Sequence, residues 1–202
     1  MMITTIAVLG AGQMGNGIAQ VAAIAGYNVV MVDIEQEYVD RGVATIQKSL
    51  NRLVAKERIS QEDADSALAR IDTATERSAC ADADLVVEAI PEIPEIKFSA
   101  FQDLDGICKP SAILATNTSS ISIDAIAEKT SRPDKVIGMH FMNPVPVMKL
   151  VEVINGSDTS NEVTEAVLAA AEKMGKTPLM CNDSPGFVSN RILCPMINEA
   201  IL

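Results

Sequence analysis

Residues 3–33 read ITTIAVLGAGQMGNGIAQVAAIAGYNVVMVD, and this stretch decides the fold. An apolar run typical of a buried strand leads into Gly10, Gly12 and Gly15, which open an Ala-rich helical segment. A second apolar run follows and ends in Asp33, 18 residues after Gly15. Glycines alone would be weak evidence because glycine is common in turns, but here strand, glycines, helix and acid stand in order. The stretch therefore predicts a dinucleotide-binding βαβ unit.

Each part of this motif has a physical role in binding a dinucleotide. Gly10 permits the sharp turn out of the strand, Gly12 lets the backbone approach a pyrophosphate, and Gly15 lets the helix pack closely on the strand. The N–H groups that begin the helix direct partial positive charge at the phosphates. We therefore expect the cofactor to lie on the loop of Gly10, Ala11, Gly12, Gln13, Met14 and Gly15.

Asp33 indicates which dinucleotide binds. Its carboxylate can accept hydrogen bonds from the adenosine ribose hydroxyls, whereas it would repel a 2′-phosphate. No Arg or Lys stands between Asp33 and Asp40 to receive such a phosphate. The sequence therefore favours NAD over NADP.

Strand-like and helical patterns alternate up to Phe141. The strand-like runs are Ile3–Leu9, Asn28–Asp33, Ile71–Thr75, Asp84–Ile90, Ala112–Thr116 and Lys135–Phe141. The helical stretches are Gln13–Ala25, Tyr38–Lys56, Glu95–Leu104 and Ile123–Lys129. Several runs are apolar at nearly every residue, which is typical of a parallel sheet covered on both faces. The pattern predicts a Rossmann-like, doubly wound α/β fold with a mainly parallel sheet and flanking helices.

The pattern changes after Phe141, where Asn143-Pro144-Val145-Pro146 predicts an extended turn. The elements expected beyond it are the strand Met148–Ile154, the helix Asn161–Met174, the strand Thr177–Cys181 and a last helix from Ser184 to Leu202. That last helix carries an apolar stripe, which needs a partner surface to bury it.

Composition argues against several classes of protein. The chain has 202 residues, of which 48% are hydrophobic, enough for a sizeable core. Its net charge of −11 argues against a nucleic-acid-binding surface. The N-terminal apolar run is too short for a signal peptide or a membrane span. Four separated cysteines without a C-x-x-C pair argue against a metal site, and we expect buried free thiols in a cytoplasmic protein with no nucleic-acid or membrane partner.

His140, the only histidine, stands near the end of the strand-like run Lys135–Phe141, at the sheet edge where α/β enzymes keep their chemistry. A lone histidine is more often structural than catalytic. Glu152, however, lies within the apolar run Leu150–Ile154, where a carboxylate is costly unless it is paired. A return through the prolines could bring Glu152 to His140, although the spacing does not set the register. Such a pair would suit a general base beside a nicotinamide.

Further polar side chains follow neighbouring strands of the predicted sheet. They are Glu92 and Lys97 after Asp84–Ile90, Asn117 and Ser119 after Ala112–Thr116, and Asn143 after His140. The run Asp84–Ile90 is expected beside the first strand, which directs Glu92 and Lys97 at the cofactor. Turn and N-cap chemistry, or a solvated ion pair, is the alternative to a role in binding.

Lys48, Arg52 and Lys56 are spaced four residues apart, so they line one face of the predicted helix Tyr38–Lys56. A solvated stripe is the usual meaning of this pattern. The alternative is a binding site for a phosphorylated part of the substrate.

Five strings carry a resemblance to a known family. They are GAGQMGNGIAQ (10–20), VVEAIPE (86–92), NTSSISI (117–123), HFMNPVPVMKLVEV (140–153) and SPGFVSNRIL (184–193). Their order and spacing along essentially the whole chain resemble the bacterial L-3-hydroxyacyl-CoA dehydrogenases of the 3-hydroxybutyryl-CoA dehydrogenase type, and the fourth string is highly specific. The resemblance implies reversible, NAD-dependent oxidation of a short-chain L-3-hydroxyacyl-CoA to the 3-oxoacyl-CoA, by a homodimer in the full-length form.

The resemblance also implies roles for individual residues. His140 would be the catalytic base and Glu152 its orienting partner, with Asn190 positioning the acyl group. The other implied contacts are Ser119 and Asn143 with substrate and nicotinamide, Glu92, Lys97 and Asn117 with NAD, and Ser49 and Lys56 with coenzyme A.

The same resemblance divides the chain. Residues 1–184 would form the NAD-binding domain, and residues 185–202 the first helix of a helical substrate and dimerisation domain, truncated in this chain. Two alternatives stay open. One is a 3-hydroxyisobutyrate or 6-phosphogluconate type dehydrogenase, although its catalytic lysine in a Gly-rich helix has no counterpart here. The other is a non-catalytic NAD-binding protein whose truncated cleft no longer turns over.

Overall fold

The computed structural model describes residues 2–201, which form one eight-stranded sheet with helices on both faces. The strands are β1 (Thr5–Leu9), β2 (Asn28–Val32), β3 (Ile71–Ala74), β4 (Leu85–Glu88), β5 (Ile113–Thr116), β6 (Val136–Phe141), β7 (Leu150–Asn155) and β8 (Thr177–Asn182). The α-helices are α1 (Gln13–Ile24), α2 (Gln36–Ala55), α3 (Gln61–Leu68), α4 (Pro94–Ile107), α5 (Ile123–Ala127), α6 (Asn161–Lys173) and α7 (Ser189–Ile201).

The order of the strands confirms the predicted doubly wound fold. It runs β3-β2-β1-β4-β5-β6-β7-β8, and every neighbouring pair is parallel except β6 and β7. The direction of winding reverses between β1 and β4, which pair directly, as expected for the run Asp84–Ile90. Because β1, β4, β5 and β6 are parallel, the residues that follow them meet at one edge of the sheet.

Alternation along β1 divides the core into two layers. Ile6 and Val8 belong to an aliphatic cluster that includes residues of α1, α2, α3 and α6, whereas Ala7 and Leu9 belong to a second cluster with α4 and α5. Successive side chains of a strand point to opposite faces, so a strand covered on both sides has to be apolar throughout. The buried sheet positions the polar edge because a shift of register by one residue would move the side chains of each layer into the other.

The sequence predictions need two corrections. Helix α3 was not predicted; it is short, but Ser60 and Asp63 form a capping box that could have indicated its start. The last helix begins at Ser189 and not at Ser184, because Gly186 and Phe187 adopt φ of 75° and 49°, outside the helical region. Its expected last residue, Leu202, lies outside the described residues.

Helix α7 is the element that packs least against the sheet. None of its residues up to Ile201 is buried, and the side chain of Cys194 is exposed, so the expectation of buried thiols is wrong for this cysteine. Its exposed apolar residues are Ile192, Leu193, Met196, Ile197 and Ile201. Among residues 2–201 no helix is long and apolar enough to cross a membrane.

Asp84 ties the N-terminus of β1 to the rest of the sheet. Its carboxylate accepts hydrogen bonds from the backbone N–H groups of Thr4 and Thr5 (2.8 and 2.9 Å), from Thr4 Oγ1 and from Lys109 Nζ (2.6 Å). Burial opposes the charged form, but these donors outweigh it and hold the pKa of Asp84 well below its usual range.

We expect Asp84→Asn to lower the free energy of unfolding by about 1–3 kcal/mol at pH 7, because an amide loses the charge-assisted bonds. Since the pKa of Asp84 is lowered in the folded state, its contribution is present above about pH 4 and is lost as the pH falls through the folded value. Urea unfolding of the wild type and Asp84→Asn between pH 2.5 and 7 measures this. Asp82→Asn, at an exposed position, is the matched control, and equal stability of all three at pH 7 would contradict the assignment.

Candidate active site

The glycine loop after β1 has the geometry that a dinucleotide requires. Gly10 has φ of 106°, and a Cβ there would lie 2.6 Å from the carbonyl oxygen of Ala89. A Cβ on Gly15 would lie 1.8 Å from the carbonyl oxygen of Gly10, so only glycine allows α1 to start against this turn. A Cβ on Gly12 would meet nothing within 4 Å. The loop thus packs tightly against the protein at Gly10 and Gly15, whereas space is open beside Gly12.

Asp33 follows β2 and contacts the glycine loop. Its Oδ2 accepts the N–H of Ala11 at 2.7 Å, and its Oδ1 accepts the N–H of Ile34 at 2.7 Å. The sequence predicted a ribose acceptor at this position but not the bond to Ala11. The bond from Ala11 fixes the glycine loop relative to Asp33, so the carboxylate of Asp33 lies beside the open space at Gly12.

Beneath the loop after β4 lies a buried ion pair that sequence reasoning missed. Lys97 Nζ is 2.6 Å from Glu88 Oε1, and the side chains are 1% and 0% exposed. Glu88 also accepts from Thr116 Oγ1 (2.7 Å) and from the N–H of Ile90 (2.8 Å). Glu88 lies within the apolar run Leu85–Ile90. A buried carboxylate there needs a partner for the same reason as Glu152, so the sequence does carry a signal for it.

Lys97 was expected to contact the cofactor, with a solvated ion pair as the alternative; an ion pair is present, but it is buried and not solvated. Its ammonium is enclosed by Glu88, by the carbonyl oxygen of Ile90 (3.3 Å) and by Glu92 Oε2 (3.2 Å). Lys97 therefore supports the loop from beneath.

Glu92 is the member of this network that reaches the surface. Its Oε1 accepts hydrogen bonds from Thr118 Oγ1 and from the N–H groups of Ser119 (2.8 Å) and Ser120 (3.2 Å). Burial opposes its ionisation, but Thr118, Lys97 and Ser119 outweigh this and keep the pKa of Glu92 below its usual value. The carboxylate therefore stays ionised and fixes the turn after β5 against the loop after β4.

Two asparagines join the loops at this edge. Asn117 Oδ1 accepts the N–H of Phe141 at 2.8 Å, which fixes the end of β6 beside β5. Asn143, which precedes a cis proline, accepts a hydrogen bond on Oδ1 from Gln13 Nε2 at 3.2 Å. The loop after β6 is thereby attached to the glycine loop, and the amide N–H₂ of Asn143 stays available as a donor.

His140 and Glu152 form the centre of the site. They lie directly opposite each other in the antiparallel pair β6–β7, with His140 Nδ1 2.8 Å from Glu152 Oε2. Burial opposes the charge on Glu152, but the donors His140, Ser189 and Val188 outweigh it and lower the pKa of Glu152. An ionised carboxylate only accepts, so Nδ1 of a neutral His140 carries the proton and Nε2 presents its lone pair.

The turn that begins α7 encloses this pair. The ring of Phe187 lies 5.8 Å from that of His140, centroid to centroid, and Glu152 Oε1 accepts the N–H groups of Val188 (3.1 Å) and Ser189 (2.7 Å). The next residue, Asn190, donates from Nδ2 to the carbonyl oxygen of Ser119 at 3.4 Å. The structure thus brings Ser119 and Asn190 together beside the His–Glu pair.

A cleft of about 230 Å³ adjoins the site between α1, α2 and the loop after β6. Its lining includes Ser49, Lys48 and Arg52 of α2 on one side and Asn143 on the other. Of the basic stripe, Lys48 and Arg52 therefore face this cleft. Lys56, the residue that caps the C-terminus of α2, lies beyond the lining residues.

The residues present fit a bound NAD. Gly12 is the N-cap of α1 and receives no side-chain cap, and the first turn carries no acidic residue, so its N–H groups can face a pyrophosphate. Asp33 lies one hydrogen bond from the same loop. These residues would hold the phosphates and the adenosine ribose.

Comparison with known proteins identifies the family. Residues 5–184 match the family described as "3-hydroxyacyl-CoA dehydrogenase, NAD binding domain". A protein of Deinococcus radiodurans named "Probable 3-hydroxybutyryl-CoA dehydrogenase" is 57% identical over 194 residues, which are 96% of this chain and 69% of that protein. A Bacillus subtilis protein of the same name is 53% identical over 201 residues, 100% of this chain and 70% of the relative.

A solved structure gives the same result. The crystal structure of (S)-3-hydroxybutyryl-CoA dehydrogenase from Ralstonia eutropha superposes with a TM-score of 0.97 at 52% identity, covering 98% of this chain and 70% of that one. The chain thus spans about 70% of the length of such relatives. It belongs to the 3-hydroxyacyl-CoA dehydrogenase family, and residues 5–184 are its NAD-binding domain.

Proposed function

We propose that the protein interconverts an L-3-hydroxyacyl-CoA and the 3-oxoacyl-CoA with NAD as the oxidant. The observation that carries this proposal is the His140–Glu152 pair, held at the sheet edge that also carries the dinucleotide loop. A protein that only binds NAD does not require a histidine held by a carboxylate in this position. Membership of the family likewise favours this function over another 3-hydroxyacid dehydrogenase.

The chain's own residues manage the proton of the reaction. His140 Nε2 accepts the proton of the 3-hydroxyl group while the hydrogen on C3 leaves as hydride. Glu152 holds the productive tautomer through Nδ1 and stabilises the imidazolium that forms. NAD, when bound, supplies the hydride acceptor. In the reverse direction His140 returns the proton to the oxygen of the carbonyl.

The surrounding polar groups position the reactants. The amide oxygen of Asn143 accepts a hydrogen bond from Gln13, so the N–H₂ group of Asn143 can donate to the nicotinamide amide or to the substrate carbonyl. Ser119 and Asn190 lie together beside the base, where they can contact the acyl group. Glu92 and Asn117 hold the two loops that frame this space.

The coenzyme A portion of the substrate would bind along α2. The cleft there carries Lys48, Ser49 and Arg52, which suit phosphate groups, and it opens next to Asn143. Lys56 extends the same positive stripe by one turn. The named 3-hydroxybutyryl-CoA dehydrogenases among the relatives support a short acyl chain.

We further propose a domain boundary, an oligomeric state and a location for the protein. We place the domain division at residues 184 and 185, since α7 has no buried residue up to Ile201 and carries an exposed apolar stripe. Burial of that stripe in a helical second domain and a homodimer is consistent with its composition. Free cysteines are consistent with a cytoplasmic location.

We expect His140→Gln to lower kcat/KM for 3-hydroxybutyryl-CoA by roughly 10²- to 10⁴-fold, because the base is lost while the shape is retained. The Kd for NAD should change little, since His140 is not part of the glycine loop. NADH absorbance and a fluorescence titration measure the two quantities. The chain contains no second histidine, so retained NAD affinity serves as the control; an unchanged rate in His140→Gln would refute the mechanism.

We expect Asp33→Asn to raise the Kd for NAD by roughly 10- to 100-fold, because a charged acceptor for the ribose hydroxyls is lost together with the bond to Ala11. Discrimination against NADP should narrow, since the repulsion of a 2′-phosphate disappears. Titrations with both cofactors test this. Asp40→Asn, an exposed acid on α2, is the matched control, and an equal effect of both variants would argue against a specific ribose contact.

A further inference from the structure

The Glu152 carboxylate is shared between the catalytic histidine and the start of α7. Oε2 faces His140 Nδ1, whereas Oε1 accepts three hydrogen bonds, from the N–H groups of Val188 and Ser189 and from Ser189 Oγ at 3.0 Å. The carboxylate is 0% exposed, so protein donors and not water determine how its charge is distributed.

The backbone donors and the hydroxyl of Ser189 do different things. Two N–H groups suffice to fix the position of Oε1, because they belong to a turn that also packs Phe187 against the imidazole. The hydroxyl adds a third donor to an oxygen that is already held. Its main effect is therefore to draw negative charge toward Oε1 and away from the oxygen that faces His140.

We propose that Ser189 is a positioning residue that acts on His140 through Glu152. Its hydroxyl limits how strongly the carboxylate favours the protonated imidazole. The turn that starts α7 thereby determines the strength of the base as well as its orientation. The consequence for catalysis rests on the proposed function, whereas the effect on the imidazole does not.

Few charged groups compete with this effect. On β6 the group that faces Glu152 is His140 itself, and on α7 it is the uncharged Ser189. On β8, Cys181 lies within electrostatic range of Glu152; burial and the charges of Glu152 and Asp183 raise the pKa of this thiol to about 11, so it stays neutral between pH 5 and pH 9. A change at Ser189 should therefore reach His140 through Glu152.

Because His140 is the only histidine, its imidazole resonances can be followed by NMR without assignment in tag-free protein. We expect Ser189→Ala to move the midpoint of the His140 titration to higher pH by about 0.5 unit, since the carboxylate then holds more charge at Oε2. Ser189→Thr keeps a hydroxyl and should restore the wild-type midpoint. Ser99→Ala, at an exposed position of α4, is the matched control and should change nothing. An unchanged or lower midpoint in Ser189→Ala would overturn the proposal.

The catalytic consequence is measured separately. The acidic limb of the kcat/KM profile for 3-hydroxybutyryl-CoA should shift upward by the same amount in Ser189→Ala, with KM at pH 9 unchanged. Displacement of α7 would instead move Asn190 away from Ser119 and raise KM at every pH, which would count against the proposal. If no variant or wild type forms NADH while the titration still shifts, the proposed function fails and the inference about Ser189 stands.

Discussion

A carboxylate buried inside the sheet must be satisfied by protein donors, and two such carboxylates organise this molecule. Glu88 and Glu152 are both 0% exposed within apolar strands. Each contacts a side chain that can carry positive charge and several N–H or O–H groups. Burying the carboxylate without these partners would cost far more free energy than burying it paired. Around Glu88 the donors hold the loop that carries Glu92, and around Glu152 they hold His140, the proposed base.

Among residues 2–201, the one antiparallel pair of the sheet is what brings the proposed base to its carboxylate. Parallel strands need a crossover between them, whereas β6 returns to β7 through a short loop and sets His140 directly opposite Glu152. That loop carries Asn143, which contacts Gln13 of the glycine loop. Lys176 keeps it in place by donating to the carbonyl oxygens of Val145 and Met148. Base and cofactor loop are therefore connected through a few bonds.

The elements differ in how firmly they are held, and this difference follows function. Strand β4 is buried throughout, and α4 packs Ala100, Phe101 and Leu104 into the same core cluster, so the ion pair of Glu88 and Lys97 lies in a tightly packed setting. Helix α7 is attached mainly by its first turn, where Phe187 packs against His140, Ser189 donates to Glu152 and Asn190 donates to Ser119. The same turn joins the side of the site at Ser119 to the side at His140.

The sequence alone indicates the doubly wound fold, the glycine loop and the need of Glu152 for a partner, because hydrophobic periodicity and a carboxylate within an apolar run are local signals. It did not reveal that Lys97 is buried, that Glu88 is its partner or that α7 begins at Ser189. The buried pair depends on a contact between residues 9 positions apart in the sequence, and the start of α7 depends on φ angles that Gly186 and Phe187 adopt only in the folded turn. The register of β6 against β7 likewise came only from the tertiary structure. Alternation restricts which face a side chain occupies, but packing of both layers decides which residue it faces.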